Sequence, residues 1–472
     1  MSDNKEHLTK LPISKFVDIK FREYAVYVLQ QRGIPNFFDS LTPVQRYILM
    51  SSSSSFEKTL SLVGNCIKAS YHHGNSSLES AISKLARPFG SALQVLEGYG
   101  FFGSEVCPEP AAARYTSVRI SSKANEILKK YKYLIEKDED GPYHPFWMDI
   151  PLGLTTPIVG IAVGYKSIIL PRKLEDIQKY LEGKIKSLKP FFINFNGTIE
   201  KYKNLPNAWI ISSKINIVGN KIEIKGLPPI LKYTSALKRL DWLFSKFEGL
   251  IRIINNSNNN VDIDIIYIGK KQDEWNEIKQ FCTKVFSIIV TENPVFIKDN
   301  QVLVYEKVEE YLDDYLWQIK RLAFNKSLYD KNFLSKELEF TKAKEQFINF
   351  ILQKKRTISE IDEFLKPYEI DLKDRLERLT SKKFTKDELI STSEKIKELI
   401  KELKEKEKEL KHTKSEFDKT KDPTIKRGIT SKKVSTNLFN TEDLSEINGI
   451  YIWNGEDVFN KEKEEEIPAE DE

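Results

Sequence analysis

The residues best equipped for chemistry lie in Ala111-Ala112-Ala113-Arg114-Tyr115-Thr116-Ser117-Val118-Arg119-Ile120, a basic, small-residue segment in which a tyrosine directly follows an arginine. A phenol, with an ordinary pKa of about 10, attacks a phosphodiester only when nearby cations stabilise both the phenolate and the charge developing at phosphorus. Arg114 supplies one such cation beside Tyr115. An Arg-Tyr pair alone is no motif, and a tyrosine in a short strand is ordinarily packing, so the case for chemistry rests on what accompanies it. Two other constellations compete with it. His72 and His73 are adjacent, so their side chains diverge, and no third ligand for zinc is in sight. Asp262-Ile263-Asp264 has a magnesium-like spacing that puts both carboxylates on one strand face. Val261, Ile263 and Ile265 alternate with them, however, as in a half-exposed strand.

These residues need elements to position them. Helical spacing runs from Arg22 to Gln31 and is ended by Pro35; Pro43 then opens a helix to Met50. Ser51 to Ser55 reads as a loop. Glu57 to Ser70 and Ser76 to Ala86 follow as two amphipathic helices joined by Tyr-His-His-Gly-Asn, a helix-turn-helix pattern. Ser76 is expected as N-cap of the second helix, with Glu79 completing a capping box. Tyr115 to Ile120 alternates as a strand and would form a wing, which makes residues 21–145 a winged-helix domain behind an N-terminal arm at 1–20. Residues 146–305 mix strands and helices, with a hairpin at Ile215–Val218 and Ile222–Lys225 around Gly219-Asn220. From Glu306 the chain turns helical: Leu334 to Leu352 is periodic, Asp362 to Leu379 is a compact block, and Lys386 to Lys411 is a long helix with a Thr385/Glu388 capping box. In the tail at 426–472, Ile450-Tyr451-Ile452-Trp453 could dock as a strand, and the acidic end from Lys461 reads as disordered.

A length of 472 residues with 40% hydrophobic residues is enough for several cores. No apolar run approaches the roughly 18 residues of a membrane span, and the N-terminus shows no secretory pattern. The three cysteines, Cys66, Cys107 and Cys282, have neither disulfide nor metal-ligand spacing, which points to a reducing compartment. The net charge of +5 is matched by the excess in residues 1–130, which carry 16 Lys/Arg against 11 Asp/Glu. That asymmetry suits a face for phosphates.

Four segments precede Tyr115: Arg32-Gly33-Ile34-Pro35; Asp39-Ser40-Leu41-Thr42-Pro43-Val44-Gln45-Arg46; Tyr71-His72-His73-Gly74-Asn75-Ser76; and Gly100-Phe101-Phe102-Gly103-Ser104. In this order, and with Arg114-Tyr115, they resemble the breakage-reunion half of type IIA DNA topoisomerases, the gyrase A and topoisomerase IV-like subunits. The resemblance runs in motifs from about residue 21 to 175, and more loosely to about 410. It implies a multidomain α+β fold: the winged-helix DNA-cleavage domain, an α/β tower domain at 146–305 in which Leu227-Pro228-Pro229 ends a strand, and long coiled-coil arms with a helical C-gate for dimerisation at 306–425. It also implies that Tyr115 is the nucleophile leaving a 5′-phosphotyrosine and that Arg114 stabilises the scissile phosphate. Arg32 and Arg46 would hold the backbone, His73 would hydrogen-bond near the cleavage site, Ser76 would open the helix facing DNA, and Ile161 in Val159-Gly160-Ile161-Ala162 would wedge between base pairs.

The chain carries no Gly-rich phosphate loop, and the companion glutamate and Gly-containing strand turn of a TOPRIM fold do not precede the Asp-x-Asp. The resemblance therefore assigns ATP and Mg²⁺ to separate ATPase and TOPRIM subunits, joined to a homodimer of this chain on double-stranded DNA, with no metal of its own. The implied activity is that of an ATP-dependent type II topoisomerase, an isomerase that relaxes and decatenates DNA. Tyr71-His72-His73-Gly74 and Gln45-Arg46 are closer to the eukaryotic pattern than to gyrase, and Thr42 and Tyr47 replace basic residues of gyrase. Little sequence follows Lys411 to serve as a DNA-wrapping domain, so negative supercoiling is not expected. A short, separate, eukaryote-like subunit resembles the T-even-type bacteriophage enzymes, which would place it in the cytoplasm of an infected host. The competing reading is a non-enzymatic winged-helix and coiled-coil DNA-binding protein.

Overall fold

The computed structural model describes residues 13–69, 71–134, 145–205, 207–298, 301–426 and 451–453. The chain divides into two compact units, Met1–Leu316 with Pro423–Glu472, and Trp317–Asp422. Residues 1–12 of the expected arm and nearly all of the expected tail, its acidic end included, lie outside the described residues.

In the first unit, α1 (Ile13–Val28) runs into a π-type turn, Leu29–Gly33, that outlasts the helix expected to stop at Gln31. Ile34, restricted by the proline behind it, is extended. α2 (Pro43–Ser51) starts as its sequence suggests, with Pro43 in the first turn and the Gln45 side chain accepting the Thr42 N–H at 2.9 Å. The next helix begins later than expected. Glu57 and Lys58 form β1 (Glu57–Lys58), and α3 (Thr59–Lys68) follows. The Thr59 N–H donates to the Thr116 carbonyl at 3.0 Å and the two threonine hydroxyls bond at 2.8 Å, so this stretch is held across to the strand after Tyr115.

α4 (Asn75–Ala86) also corrects the sequence reading: Gly74 is its N-cap and Ser76 already lies inside, so the Ser76/Glu79 capping box does not form. Ser77 does the local work instead, bonding to the Gly74 carbonyl at 2.7 Å and to Tyr71 at 2.9 Å. β2 (Leu96–Tyr99) and β3 (Ser117–Ile120) complete an antiparallel sheet in the order β1-β3-β2, and α5 (Ser122–Lys129) follows. Leu62, Leu78, Ile82, Leu96 and Val118 are fully buried between these helices and the sheet. The core fixes which face of α4 looks outward.

The same unit continues with the hairpin β4 (Ile158–Ala162) and β5 (Tyr165–Ile169), then α6 (Leu174–Leu181), β6 (Thr198–Lys201), β7 (Ala208–Ser212), β8 (Lys214–Val218) and β9 (Lys221–Lys225). The expected hairpin is present as β8–β9, and Gly219 at its turn has a φ of 61°. α7 (Tyr233–Lys246), β10 (Ile251–Asn255), β11 (Asp262–Tyr267) and α8 (Gln272–Val285) complete the sheet β10-β11-β9-β8, whose inner face, with Ile222, Ile224, Ile263 and Ile265, packs with both helices. β12 (Ser287–Thr291), β13 (Val295–Lys298) and β14 (Gln301–Val304) follow. A further sheet has the order β15-β12-β7-β6, where β15 (Tyr451–Trp453) is the expected docking strand, parallel to β12.

The buried Arg172 anchors this region, its guanidinium bonding both oxygens of the buried Glu292 at 3.0 and 2.7 Å. Glu292 also accepts the Leu170 N–H and the Trp209 indole N–H, both at 2.8 Å.

The second unit begins within α9 (Val308–Gln353) and holds α10 (Ile358–Leu365), α11 (Ile370–Glu377) and α12 (Lys386–Asp418). Leu334 and Leu338 of α9 pack with Ile396 and Leu399 of α12, the pairing of long antiparallel arms. Phe347, Leu365 and Leu376 form the core of the short-helix block. The Thr385–Glu388 capping box forms, and α12 continues past Lys411 to Asp418.

Candidate functional site

Tyr115 lies in the turn before β3 and is 67% exposed. Its own N–H donates to the Ala112 carbonyl at 2.8 Å, and Thr116 behind it is buried against Thr59, so the turn is fixed while the phenol faces solvent. The Arg114 guanidinium carbon is 5.0 Å from the Tyr115 ring centroid. Gly100, at φ 108°, passes beside this turn; a Cβ there would lie 3.3 Å from the Thr116 side chain. Gly100 thus allows close packing against the turn, which leaves the Tyr115 phenol and the Arg114 cation exposed together.

Arg32 and His73 meet directly. Arg32 Nη2 is 2.9 Å from His73 Nδ1, and Tyr27, on α1, places its hydroxyl 3.3 Å from His73 Nε2. A guanidinium only donates, so Nδ1 is the acceptor and the imidazole is neutral with its proton on Nε2. Burial first, then the Arg32 charge, then His72, holds the His73 pKa below the usual histidine range.

Ile161 is brought to the same place by two glycines. A Cβ on Gly160 would sit 2.0 Å from the Gly33 carbonyl oxygen, and one on Gly33 would sit 2.5 Å from the Ile161 carbonyl oxygen. Backbone therefore touches backbone, and Arg32 and the 56% exposed Ile161 line one groove of about 1050 Å³. Lys84, Arg87 and Lys232 also line it, against the carboxylate of Glu105. Such a groove suits a polyanion. Tyr115 is not among the lining residues, although Gly100 and Phe101 beside its turn are.

Arg46 is placed elsewhere. It is 7% exposed and forks onto the fully buried Asp39 at 2.8 and 3.0 Å, while Asp39 also accepts the Leu41 and Phe146 N–H groups. Its Nε and Nη2 are thus engaged inside the protein, by Asp39 and the Leu41 carbonyl, rather than aimed at a ligand as the sequence reading expected. Ser76 stands exposed in the first turn of α4. Asp264 pairs with Lys221 at 3.0 Å and Asp262 with Lys225 at 3.8 Å, as cross-strand partners rather than metal ligands. Among the described residues no group of three or more His, Cys, Asp or Glu could hold a metal ion. No helix among the described residues is long and apolar enough to cross a membrane.

Sequence reasoning missed Tyr27, Lys84 and Arg87. The two cations sit one turn apart at the end of α4, and their i,i+3 spacing on the polar side of that amphipathic helix was the available signal. Arg87 leans over Phe89 at 4.8 Å, its Nε buried without a hydrogen-bond partner, and it crowds Gly90, whose φ is 81°. Partial burial of the Lys84 ammonium first, and then the Arg87 charge, lowers its pKa. Nothing in the sequence marked Tyr27.

A helix-and-sheet unit carrying an exposed Arg-Tyr turn and a cationic groove, in a chain that also holds paired long helices, defines an α+β, multidomain architecture. It matches the crystal structure of the Plasmodium falciparum topoisomerase II DNA-binding, cleavage and re-ligation domain with a TM-score of 0.69 at 24% identity, over 89% of this chain and 64% of that one. The family model for the A subunits of DNA gyrase and topoisomerase IV matches residues 32–426, and the chain belongs to this family of type IIA topoisomerase DNA-cleavage subunits. It is 29% identical over 206 residues to the DNA topoisomerase medium subunit of Enterobacteria phage T4, covering 41% of this chain and 47% of that protein. It is 24% identical over 373 residues to the A subunit of DNA topoisomerase 4 from Staphylococcus aureus, covering 71% of this chain and 46% of that protein. The chain thus spans about half the length of the curated relatives it matches.

Proposed function

We propose that this chain is the DNA-cleaving subunit of an ATP-dependent type II topoisomerase, with Tyr115 as its nucleophile. The Tyr115 oxygen attacks phosphorus, loses its proton, and displaces the 3′ oxygen of the neighbouring nucleotide. A 5′-phosphotyrosine ester and a free 3′ hydroxyl result, and the reverse attack reseals the strand. The ester keeps the bond energy, so neither cutting nor joining consumes ATP. Arg114 stabilises the charge at phosphorus through permanent, forked donors. Arg32 with His73 holds the backbone, Ser76 adds a contact at the start of α4, and Ile161 wedges between base pairs, a few kcal/mol of unstacking offset by wrapped surface. Arg46 belongs in this scheme as the support of the Asp39 segment rather than as a DNA contact.

Two copies joined through a C-gate in 306–425 give one tyrosine per strand. Winged-helix and tower domains occupy 21–145 and 146–305, and separate chains carry the ATPase and the TOPRIM magnesium site. A second duplex passes through the break, which relaxes and decatenates DNA without introducing negative supercoils, in the cytoplasm of a bacteriophage-infected host. The observation that carries the reading is the fixed, exposed Arg114-Tyr115 turn in a chain of this family.

The test mixes the chain and its ATPase/TOPRIM partner with Mg²⁺ and supercoiled plasmid, stops with detergent, and looks for linear DNA released only by protease. Wild type should give 5′-linked protein and Tyr115→Phe none. A folded, DNA-bound assembly that forms no covalent complex would refute the assignment and favour a binding protein.

A further inference from the structure

We propose that Tyr27 is a positioning residue for the cleavage site, holding the His73 ring so that the Arg32–His73 pair presents a fixed set of donors to the DNA backbone. The inference rests on the proposed role of that pair. Arg32 occupies Nδ1 at 2.9 Å, which forces the proton onto Nε2. Rotation of the imidazole about the Cβ–Cγ bond would break this contact, and three further groups resist it. The Tyr27 hydroxyl stands 3.3 Å from Nε2 and is the acceptor in reach of that N–H. The Tyr27 ring meets the imidazole edge-on at 6.1 Å and 68°, and Tyr71 meets it at 5.2 Å and 86°. Tyr71 is itself locked, buried and bonded to Ser77 on α4. Tyr27 is therefore the adjustable side of the clamp, 42% exposed on α1.

The 3.3 Å contact is longer than the usual N–H···O distance of about 2.9–3.0 Å. A phosphate oxygen makes a charge-assisted bond roughly twice as strong as a neutral one. The Nε2–H is thus aimed before DNA arrives, and in the complex it is shared between the phenol and a backbone phosphate, so that the phenol still holds the ring there. Arg32 keeps its remaining N–H groups for the same strand. The charged and titratable groups facing the imidazole are Arg32, His72, Tyr27 and Tyr71.

The experiment is a double-mutant cycle in the reconstituted complex. Tyr27→Phe retains the ring and removes only the hydroxyl. It should slow covalent-complex formation at saturating DNA about three- to tenfold, the weight of one hydrogen bond, with the half-saturating DNA concentration changed less than about twofold. In a His73→Gln background the same change should do nothing further. Equal slowing in both backgrounds, or none in either, overturns the proposal.

A second arm needs no activity. With ¹⁵N-histidine in the DNA-free chain, His73 should report the Nε2–H tautomer with a slowly exchanging ring proton, and Tyr27→Phe should speed that exchange. An Nδ1–H tautomer, or exchange indifferent to Tyr27, overturns the proposal even where the wild type forms no covalent complex. That last result would instead refute the cleavage reading. Should the His73→Gln background cleave too slowly to read, the exchange arm decides.

Discussion

Two sets of cations, mostly arginines, separate the interior of the first unit from its groove. Arg172 and Arg46 are buried, and each forks onto a carboxylate, Glu292 or Asp39, that also collects backbone or indole N–H groups. Arg32, Lys84 and Arg87 line the groove, where the lining carboxylate Glu105 is itself taken up by the Val261 N–H at 3.0 Å. The same residue type thus does opposite work. A buried guanidinium with its counter-charge in the chain fixes one segment to another, and a groove cation without one keeps its field for a ligand. The difference lies in which charges the fold completes, and it converts directly into experiments.

The largest effect belongs to the completed pairs. Removing one partner of a buried ion pair leaves an uncompensated charge and costs about 3–5 kcal/mol, whereas replacing both by apolar residues of similar volume is often neutral. Glu292→Ala should therefore shift urea unfolding of the first unit by about that amount, since the Leu170 and Trp209 N–H groups lose their acceptor too. The double replacement Arg172→Met with Glu292→Leu should recover a good part of it. If Glu292→Ala unfolds at the wild-type urea concentration, the pair anchors nothing.

The next effect exchanges stability for salt dependence. Arg46→Ala should destabilise by about 3 kcal/mol or more, for the same reason as Glu292→Ala, and leave the slope of log DNA affinity against log salt unchanged. Lys84→Ala and Arg87→Ala should do the converse: stability unchanged or slightly raised, and the slope reduced by about 0.9 for each phosphate that is no longer neutralised. A flat salt response in the groove variants, or a reduced slope for Arg46→Ala, would erase the distinction between the two sets.

What was legible in the sequence follows the same division. Elements with local signatures were readable: the Gly219-Asn220 hairpin, Pro43 at the start of α2, the Thr385–Glu388 capping box and the long periodic helices. Tyr115 with Arg114 was singled out through its company, and the fold places that pair in an exposed, hydrogen-bonded turn. Contacts made across the fold were not readable. Glu57 and Lys58 look helical, yet become a strand because Ser117 and Val118 wait beside them. Arg46 carries the residue type of a phosphate contact and is drawn inward by Asp39, seven residues upstream. The Gly33–Gly160 contact joins segments far apart in sequence, and no spacing rule reports it.

The smallest effect concerns His73, which belongs to neither set because its partner is a cation. Burial, Arg32 and His72 lower its pKa in the folded chain. Below about 6.5, the ordinary histidine value, the unfolded chain takes up a proton that the folded chain refuses. Stability rises with pH wherever the unfolded state binds more protons. The contribution from neutral His73 is thus fully present above about pH 6.5 and is lost as pH falls through the lower folded value. Below that value both states carry the proton and the loss levels off. Unfolding of wild type and His73→Gln, compared from about pH 7.5 in steps down to about pH 5, should show the wild type losing stability relative to the variant across that window. Arg32→Ala should narrow the window by removing one of the two charges that depress the imidazole. A difference between wild type and His73→Gln that stays constant with pH would mean that His73 titrates like a free histidine, and that Arg32 does not hold its Nδ1.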